Sequence, residues 1–219
     1  MRTAILFDLD GTLLNTLEDL YNATNYILRQ YELPERSMEE VRRFVGNGAR
    51  VQITSALPGK PDDPPVDEVL AAYQDYYNAT CNNGTAKPYP GVLEALTAIS
   101  AKYPVAVVSN KPDPAVRELC RSYFGDVYAR GVSDDCPRKP APDMVHKTMA
   151  EIGVDACVYV GDSEVDVITA RNAGVPCMSV LWGFRDQAQL EAEGAKHFCD
   201  DPAKLPQMLT KIAEEYYGK

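Results

Sequence analysis

Near the amino terminus a short apolar run, Ala4-Ile5-Leu6-Phe7, ends abruptly in Asp8-Leu9-Asp10-Gly11-Thr12. An uninterrupted apolar run bounded by a turn signal has the pattern of a strand buried on both faces, as found inside a parallel sheet. Asp8 and Asp10 then stand at the carboxyl end of that strand, where open α/β sheets bind their ligands. Two crowded carboxylates repel, so the spacing predicts a cation or a shared proton beside them.

Beyond Leu14 the period changes. Leu17, Leu20, Tyr21, Thr24, Ile27, Leu28 and Tyr31 recur every three or four residues, one face of an amphipathic helix that Pro34 stops. Ser37 followed by Glu40 is a capping-box signature for a second helix. Gly46-Asn47-Gly48 breaks it. Helical patterns return over 49–57 and 66–77, separated by a proline- and aspartate-rich loop. Residues 15–84 therefore read as four helices with no convincing strand. From residue 85 strands alternate with helices: helix 91–101, strand 105–108, helix 113–123, a weak strand at 127–129, a helix from Pro142 to Gly153, strand 157–160, helix 164–173, strand 177–181 and a last helix over 203–216. That alternation predicts a doubly wound parallel α/β sheet, built from 1–14 and 85–219, with the helical block 15–84 inserted after its first strand.

Composition narrows the partners. With 45% hydrophobic and 25% charged residues the chain has the balance of a soluble globular protein. A net charge of -10 disfavours nucleic acid and anionic membranes, so an anionic substrate must be met by local positive groups. The six cysteines form no CxxC pair, which predicts buried free thiols rather than a zinc site or a disulfide framework. The few residues before Asp8 leave no room for a signal peptide, and no apolar run reaches membrane-spanning length, so a cytoplasmic location is expected. The sequons at Asn22, Asn78 and Asn83 then read as chance matches. Nothing in the composition separates a monomer from a homodimer.

The first polar residues after the strong strands carry the chemistry. Strand one presents Asp8 and Asp10; the strand at 105–108 presents Ser109 and Asn110; the strand at 157–160 presents Gly161, Asp162 and, a helical turn later, Asp166. Lys139 follows the weak strand. In a parallel sheet these ends share one edge. Four acids, a hydroxyl and an ammonium make a site for Mg²⁺ and a phosphoryl group. Phosphoryl transfer needs its equatorial charge neutralised, and Mg²⁺ takes one or two carboxylates plus waters and substrate oxygens. Asp8 and Asp162 suit the metal, with the main-chain carbonyl of Asp10, and Asp166 would hold an inner ligand from behind. Lys139, Ser109 and Asn110 suit the phosphate, together with N–H groups of the Gly11-Thr12 turn.

These four segments, Asp8-Leu9-Asp10-Gly11-Thr12-Leu13, the strand ending in Ser109-Asn110, Lys139-Pro140, and Gly161-Asp162-Ser163-Glu164-Val165-Asp166, resemble the ordered motifs of the haloacid dehalogenase-like hydrolases. The resemblance spans the entire Rossmann-like core, and the insertion resembles that family's four-helix cap. It implies that Asp8 attacks phosphorus to form an aspartyl phosphate. Asp10 would protonate the leaving oxygen and later deprotonate the hydrolytic water. Dehalogenases that resemble this group lack the second aspartate, since a halide needs no proton; Asp10 thus implies a phosphate ester. Phe44-Val45-Gly46-Asn47-Gly48-Ala49, Tyr89-Pro90-Gly91 and Trp182-Gly183-Phe184-Arg185 resemble the phosphoglycolate phosphatase branch, although Asn15-Thr16 stands where many relatives carry Asp-Ser. Asn47, Arg43, Arg50 and Arg185 are the candidates for selecting the substrate. The cap is expected to close over the core and exclude water. Rival readings are a phosphomutase or pyrophosphatase on the same core, and a phospho-aspartate signalling receiver. The long insertion and the second acidic pair count against the receiver.

Overall fold

The computed structural model describes residues 1–81 and 84–218. Asn83, the first residue of its sequon, lies outside them. The chain divides into two compact units, one formed by Met1–Leu14 with Pro88–Lys219 and the other by Asn15–Lys87.

In chain order, β1 (Thr3–Phe7) leads to β2 (Leu14–Asn15) and then to four helices, α1 (Leu17–Gln30), α2 (Met38–Phe44), α3 (Ala49–Ala56) and α4 (Val66–Thr80). β3 (Lys87–Pro88) pairs with β2. The remainder alternates: α5 (Val92–Ser100), β4 (Val105–Pro112), α6 (Asp113–Phe124), β5 (Tyr128–Val132), α7 (Asp143–Ile152), β6 (Ala156–Gly161), α8 (Glu164–Ala173), β7 (Cys177–Val180), α9 (Gln187–Ala192), β8 (His197–Cys199) and α10 (Leu205–Tyr217).

The helical unit forms where the apolar spacing points inward. Leu20, Ala23, Ile27 and Leu28 of α1 are buried, as are Val69, Leu70, Tyr73 and Tyr77 of α4. The Ser37–Glu40 capping box is formed and starts α2. Inside the unit the Gln52 amide donates to Thr24 Oγ1 at 2.9 Å and to Tyr73 Oη at 3.3 Å, tying α3 to α1 and α4.

The other unit is a six-stranded sheet in the order β5-β4-β1-β6-β7-β8. Every neighbouring pair is parallel. Alternate side chains of β1 feed two separate cores. Ile5 and Phe7 pack with Val107, Val158, Val160, Leu96, Leu119 and Leu209 on one face. Ala4 and Leu6 pack with Ala106, Val108, Tyr159, Met144 and Val145 on the other. Helices thus cover both faces, as a doubly wound sheet requires. The strand order reverses at β1, which has β4 on one side and β6 on the other, so a crevice opens at its carboxyl end.

Three expectations change. The sheet has a sixth strand, β8, preceded by α9, in a stretch where the sequence pattern predicts no element; β8 is only three residues long and too short for a periodic signal. β4 runs on to Pro112, so Ser109 and Asn110 lie in its irregular end rather than after it. β5 spans Tyr128–Val132, beyond the weak signal at 127–129, because polar Arg130 and Gly131 interrupt the apolar pattern. All six cysteines are free thiols. Burial pushes Cys120, Cys157 and Cys177 up to about 12, which leaves them unreactive at neutral pH. Among the described residues no helix is long and apolar enough to cross a membrane.

Candidate active site

Asp8 immediately follows β1 and is 7% exposed. Its Oδ1 accepts the Leu9 N–H at 2.7 Å and lies 3.0 Å from the Lys139 ammonium. Lys139 comes from the loop between β5 and α7, and its side chain is 1% exposed. It also donates to Asp166 Oδ1 at 2.8 Å and to the Tyr159 hydroxyl at 2.9 Å. Tyr159 in turn donates to the Val108 carbonyl at 3.0 Å, anchoring the cluster to β4.

Asp166 sits in the first turn of α8, where its Oδ2 accepts the Ser163 N–H and hydroxyl at 3.1 and 2.6 Å. One side chain therefore caps the helix and orients the lysine. Asp162, fully buried at the end of β6, accepts the Thr12 hydroxyl on Oδ1 at 3.0 Å and the Phe184 N–H on Oδ2 at 2.7 Å. Glycines make room for it: a Cβ on Gly11, whose φ is +86°, or on Gly183 would lie 2.3 Å from the Asp162 side chain.

Carboxylate oxygens of Asp8, Asp162 and Asp166 lie within 4.8 Å of one another. Burial, reinforced by the charge of Asp166, lifts Asp8 to about 7 against the opposing pull of Lys139. Burial first, then Asp166 and Asp8, hold Asp162 well above the usual carboxylate range. Burial works against the charge on Lys139, yet Asp166 and Asp8 outweigh it and hold the ammonium well above its ordinary range. When all three are ionised, the carboxylates exceed the one ammonium by two negative charges. A divalent cation balances that excess, and an all-oxygen donor set suits a hard one.

Asp10 lies beyond Asp8, and its Oδ2 is 3.1 Å from the ammonium of Lys111. The remaining motif residues act on the loops. Ser109 Oγ accepts the Lys111 N–H at 3.3 Å, and the Asn110 amide donates to the Lys139 carbonyl at 3.0 Å, pinning that loop to β4. The N–H groups of Gly11 and Thr12 donate to the carbonyls of Leu14 and Leu9 within the turn. Both N–H groups are thus engaged within the loop, and the Thr12 hydroxyl holds Asp162.

Arg185 is buried, and its guanidinium makes two bonds to Glu164, at 2.7 and 3.1 Å, bracing the segment after β7 against the start of α8. In the helical unit Arg50 pairs with Asp67, Arg43 with Glu39 at 3.7 Å, and Asn47 is half-buried between α2 and α3. Two site residues escaped the sequence reading, Lys111 and Tyr159. Lys111 carried a signal, a charged residue directly after Ser109-Asn110 in a buried strand. Tyr159 had none beyond a polar-tipped aromatic in an apolar run.

A doubly wound sheet with an acid cluster and a buried lysine at its switch point has the donors a phosphoryl group requires, and known proteins narrow the class. The profile of the haloacid dehalogenase-like hydrolase family matches residues 5–180, and the chain belongs to that family. It is 33% identical over 226 residues to a phosphoglycolate phosphatase of Mesorhizobium japonicum, covering 97% of this chain and 98% of the relative. A Lactobacillus delbrueckii subsp. bulgaricus structure, provisionally named a phosphoglycolate phosphatase, superposes with a TM-score of 0.86 at 34% identity, covering 94% of this chain and 97% of that one. CbbY from Rhodobacter sphaeroides, solved in complex with phosphate, gives 0.80 at 25% identity, with 96% and 100% covered. By enzyme class the chain is a phosphoric monoester hydrolase. The signalling-receiver alternative is thereby set aside.

Proposed function

We propose that this enzyme hydrolyses a small phosphorylated metabolite, phosphoglycolate first among candidates, with Mg²⁺ and through an aspartyl-phosphate intermediate on Asp8. The observation that carries the reading is the convergence of Asp8, Asp162 and Asp166 within 4.8 Å, with Lys139 inserted between Asp8 and Asp166. Both donors to Asp8 meet on Oδ1. Oδ2 is therefore assigned as the oxygen that bonds to phosphorus as the ester oxygen departs. Asp10 gives that oxygen its proton. It then takes one from the water whose oxygen attacks phosphorus, releasing inorganic phosphate and restoring the Asp8 carboxylate.

The metal would be held by Asp8, Asp162 and the main-chain carbonyl of Asp10, with Asp166 supporting from behind. When bound it neutralises charge on the phosphoryl oxygens. Ser109 and Lys139 bring a hydroxyl and a positive charge to the phosphate, and Asn110, Gly11 and Thr12 complete its binding loops. The helical unit 15–84 serves as the cap in this reading, with Asn47 and Arg50 as its specificity candidates. A cytoplasmic location fits a soluble metabolite.

Incubation with Mg²⁺ and a chromogenic phosphate monoester tests the core of the reading. Turnover that is indifferent to metal chelation, or that survives in Asp8→Asn, overturns it. Substrate identity is tested by kcat/KM across a panel of phosphorylated metabolites; uniform activity removes phosphoglycolate.

A further inference from the structure

We propose that Lys111 selects the substrate: its ammonium receives a carboxylate carried one carbon away from the leaving oxygen, as in a phosphorylated 2-hydroxy acid. This rests on the phosphatase reading above and deepens it, placing recognition in the sheet unit itself.

Lys111 is built into the site rather than reaching it from the surface. β4 pairs with β5 at Val108↔Arg130 and next at Pro112↔Val132, so residues 109–111 bulge opposite the single residue Gly131. The bulge needs that glycine, since a Cβ there would lie 2.4 Å from Asp113 Cα and 2.6 Å from the Lys111 carbonyl oxygen. The Gly131 N–H also donates to Asp113 Oδ1 at 2.9 Å, fixing the far end of the bulge. The Lys111 side chain is 4% exposed, and it lies against Asp10, 3.1 Å away, on the leaving-group side. Lys139 lies against Asp8, on the phosphoryl side. One buried cation thus serves each half of the substrate.

The reach follows from covalent geometry. The leaving oxygen must come within about 2.6–3.2 Å of the Asp10 carboxyl to exchange a proton with it. In a 2-hydroxy acid the carboxylate carbon is two bonds from that oxygen, placing its oxygens about 3 Å away at ordinary bond lengths. An ammonium already touching Asp10 meets such a carboxylate without moving its backbone. A chain of net charge -10 offers a trianionic substrate little general attraction, so this local cation carries weight. Of the other buried cations, Lys139 lies against Asp8 and Asp166, Arg185 is engaged with Glu164, and Arg130 with Asp135 and Glu151.

The test compares phosphoglycolate with ethyl phosphate, which has the same two-carbon leaving group without the carboxylate, in wild type, Lys111→Met and Lys111→Arg with Mg²⁺. Wild type is expected to prefer phosphoglycolate by at least about 10-fold in kcat/KM. Lys111→Met should lose about 10- to 100-fold more on phosphoglycolate than on ethyl phosphate, chiefly in KM, as expected for a charge-assisted hydrogen bond. Lys111→Arg should restore part of the preference. Equal losses on both esters, or a wild type indifferent to the carboxylate, overturn the proposal; the second outcome needs no variant to fold. Failure of the phosphatase reading is distinguishable, because wild type would then hydrolyse neither ester in a metal-dependent way.

Discussion

Lys139 is among the largest fully buried side chains of the molecule, and its ammonium touches two carboxylates and a phenol. Burying a lone ammonium or a lone carboxylate is costly, and here each compensates the other. Lys139→Met should therefore lower unfolding free energy by about 3–5 kcal/mol in urea titrations of the metal-free protein. The loss should be largest above pH 7 and smaller near pH 5, where Asp8, lifted to about 7 by burial, takes up a proton and no longer needs the cation. Asp10, the proposed acid, pairs with the buried ammonium of Lys111. Asp10→Asn should cut kcat/KM on alkyl phosphates, which reports the leaving-group step rather than hydrolysis of the shared intermediate, by about 10²–10⁴-fold. It should cut less on p-nitrophenyl phosphate, whose leaving group departs without a proton; equal losses on both would remove Asp10 as the acid.

At the scale of elements, each motif works because a strand end meets a loop that keeps clear of it. Asp162 directly follows β6, yet Thr12 of the β1–β2 loop and Phe184 after β7 hold its two oxygens. Gly183→Ala would press a methyl group onto Asp162, 2.3 Å from its Cβ. The expected cost is about 1–3 kcal/mol of stability, the usual price of overpacking. Mg²⁺ should also bind more weakly, read as the shift in Tm on metal titration. A variant as stable and as metal-responsive as wild type would show that the loop yields freely. The capping box of α8 has the same double character, since Asp166 serves both the Ser163 N–H and Lys139. Asp-x-Asp, Ser-Asn, Lys-Pro and Gly-Asp were legible as local signals at strand ends. Lys111 was not placed, because a bulge that turns a strand residue into the site depends on Gly131 in the neighbouring strand.

For the whole molecule, the carboxylates crowded at the sheet's switch point couple stability to pH, and would couple it to a bound cation. Asp8 has a folded pKa of about 7 against an ordinary 3.8, and Asp162 is raised as well. Between those values the folded state binds more protons than the unfolded state, so this contribution to stability falls as pH rises through the window. A divalent cation relieves the same repulsion. The rise in Tm produced by Mg²⁺ should therefore grow from pH 5 to pH 7.5 and vanish with chelator; a pH-independent rise would place the metal elsewhere. By itself the sequence determined the alternation of strands and helices, the inserted helical block and the residues at the strand ends. Those features are written in short-range periods of two and 3.6 residues and in turn chemistry. The tertiary structure alone decided that β1 lies between β4 and β6, that β8 completes the sheet, and which lysine answers which acid. Thr12 and Asp162 bond across 150 residues of chain. Pairings at that separation are chosen by packing of the whole sheet, and no local pattern encodes them.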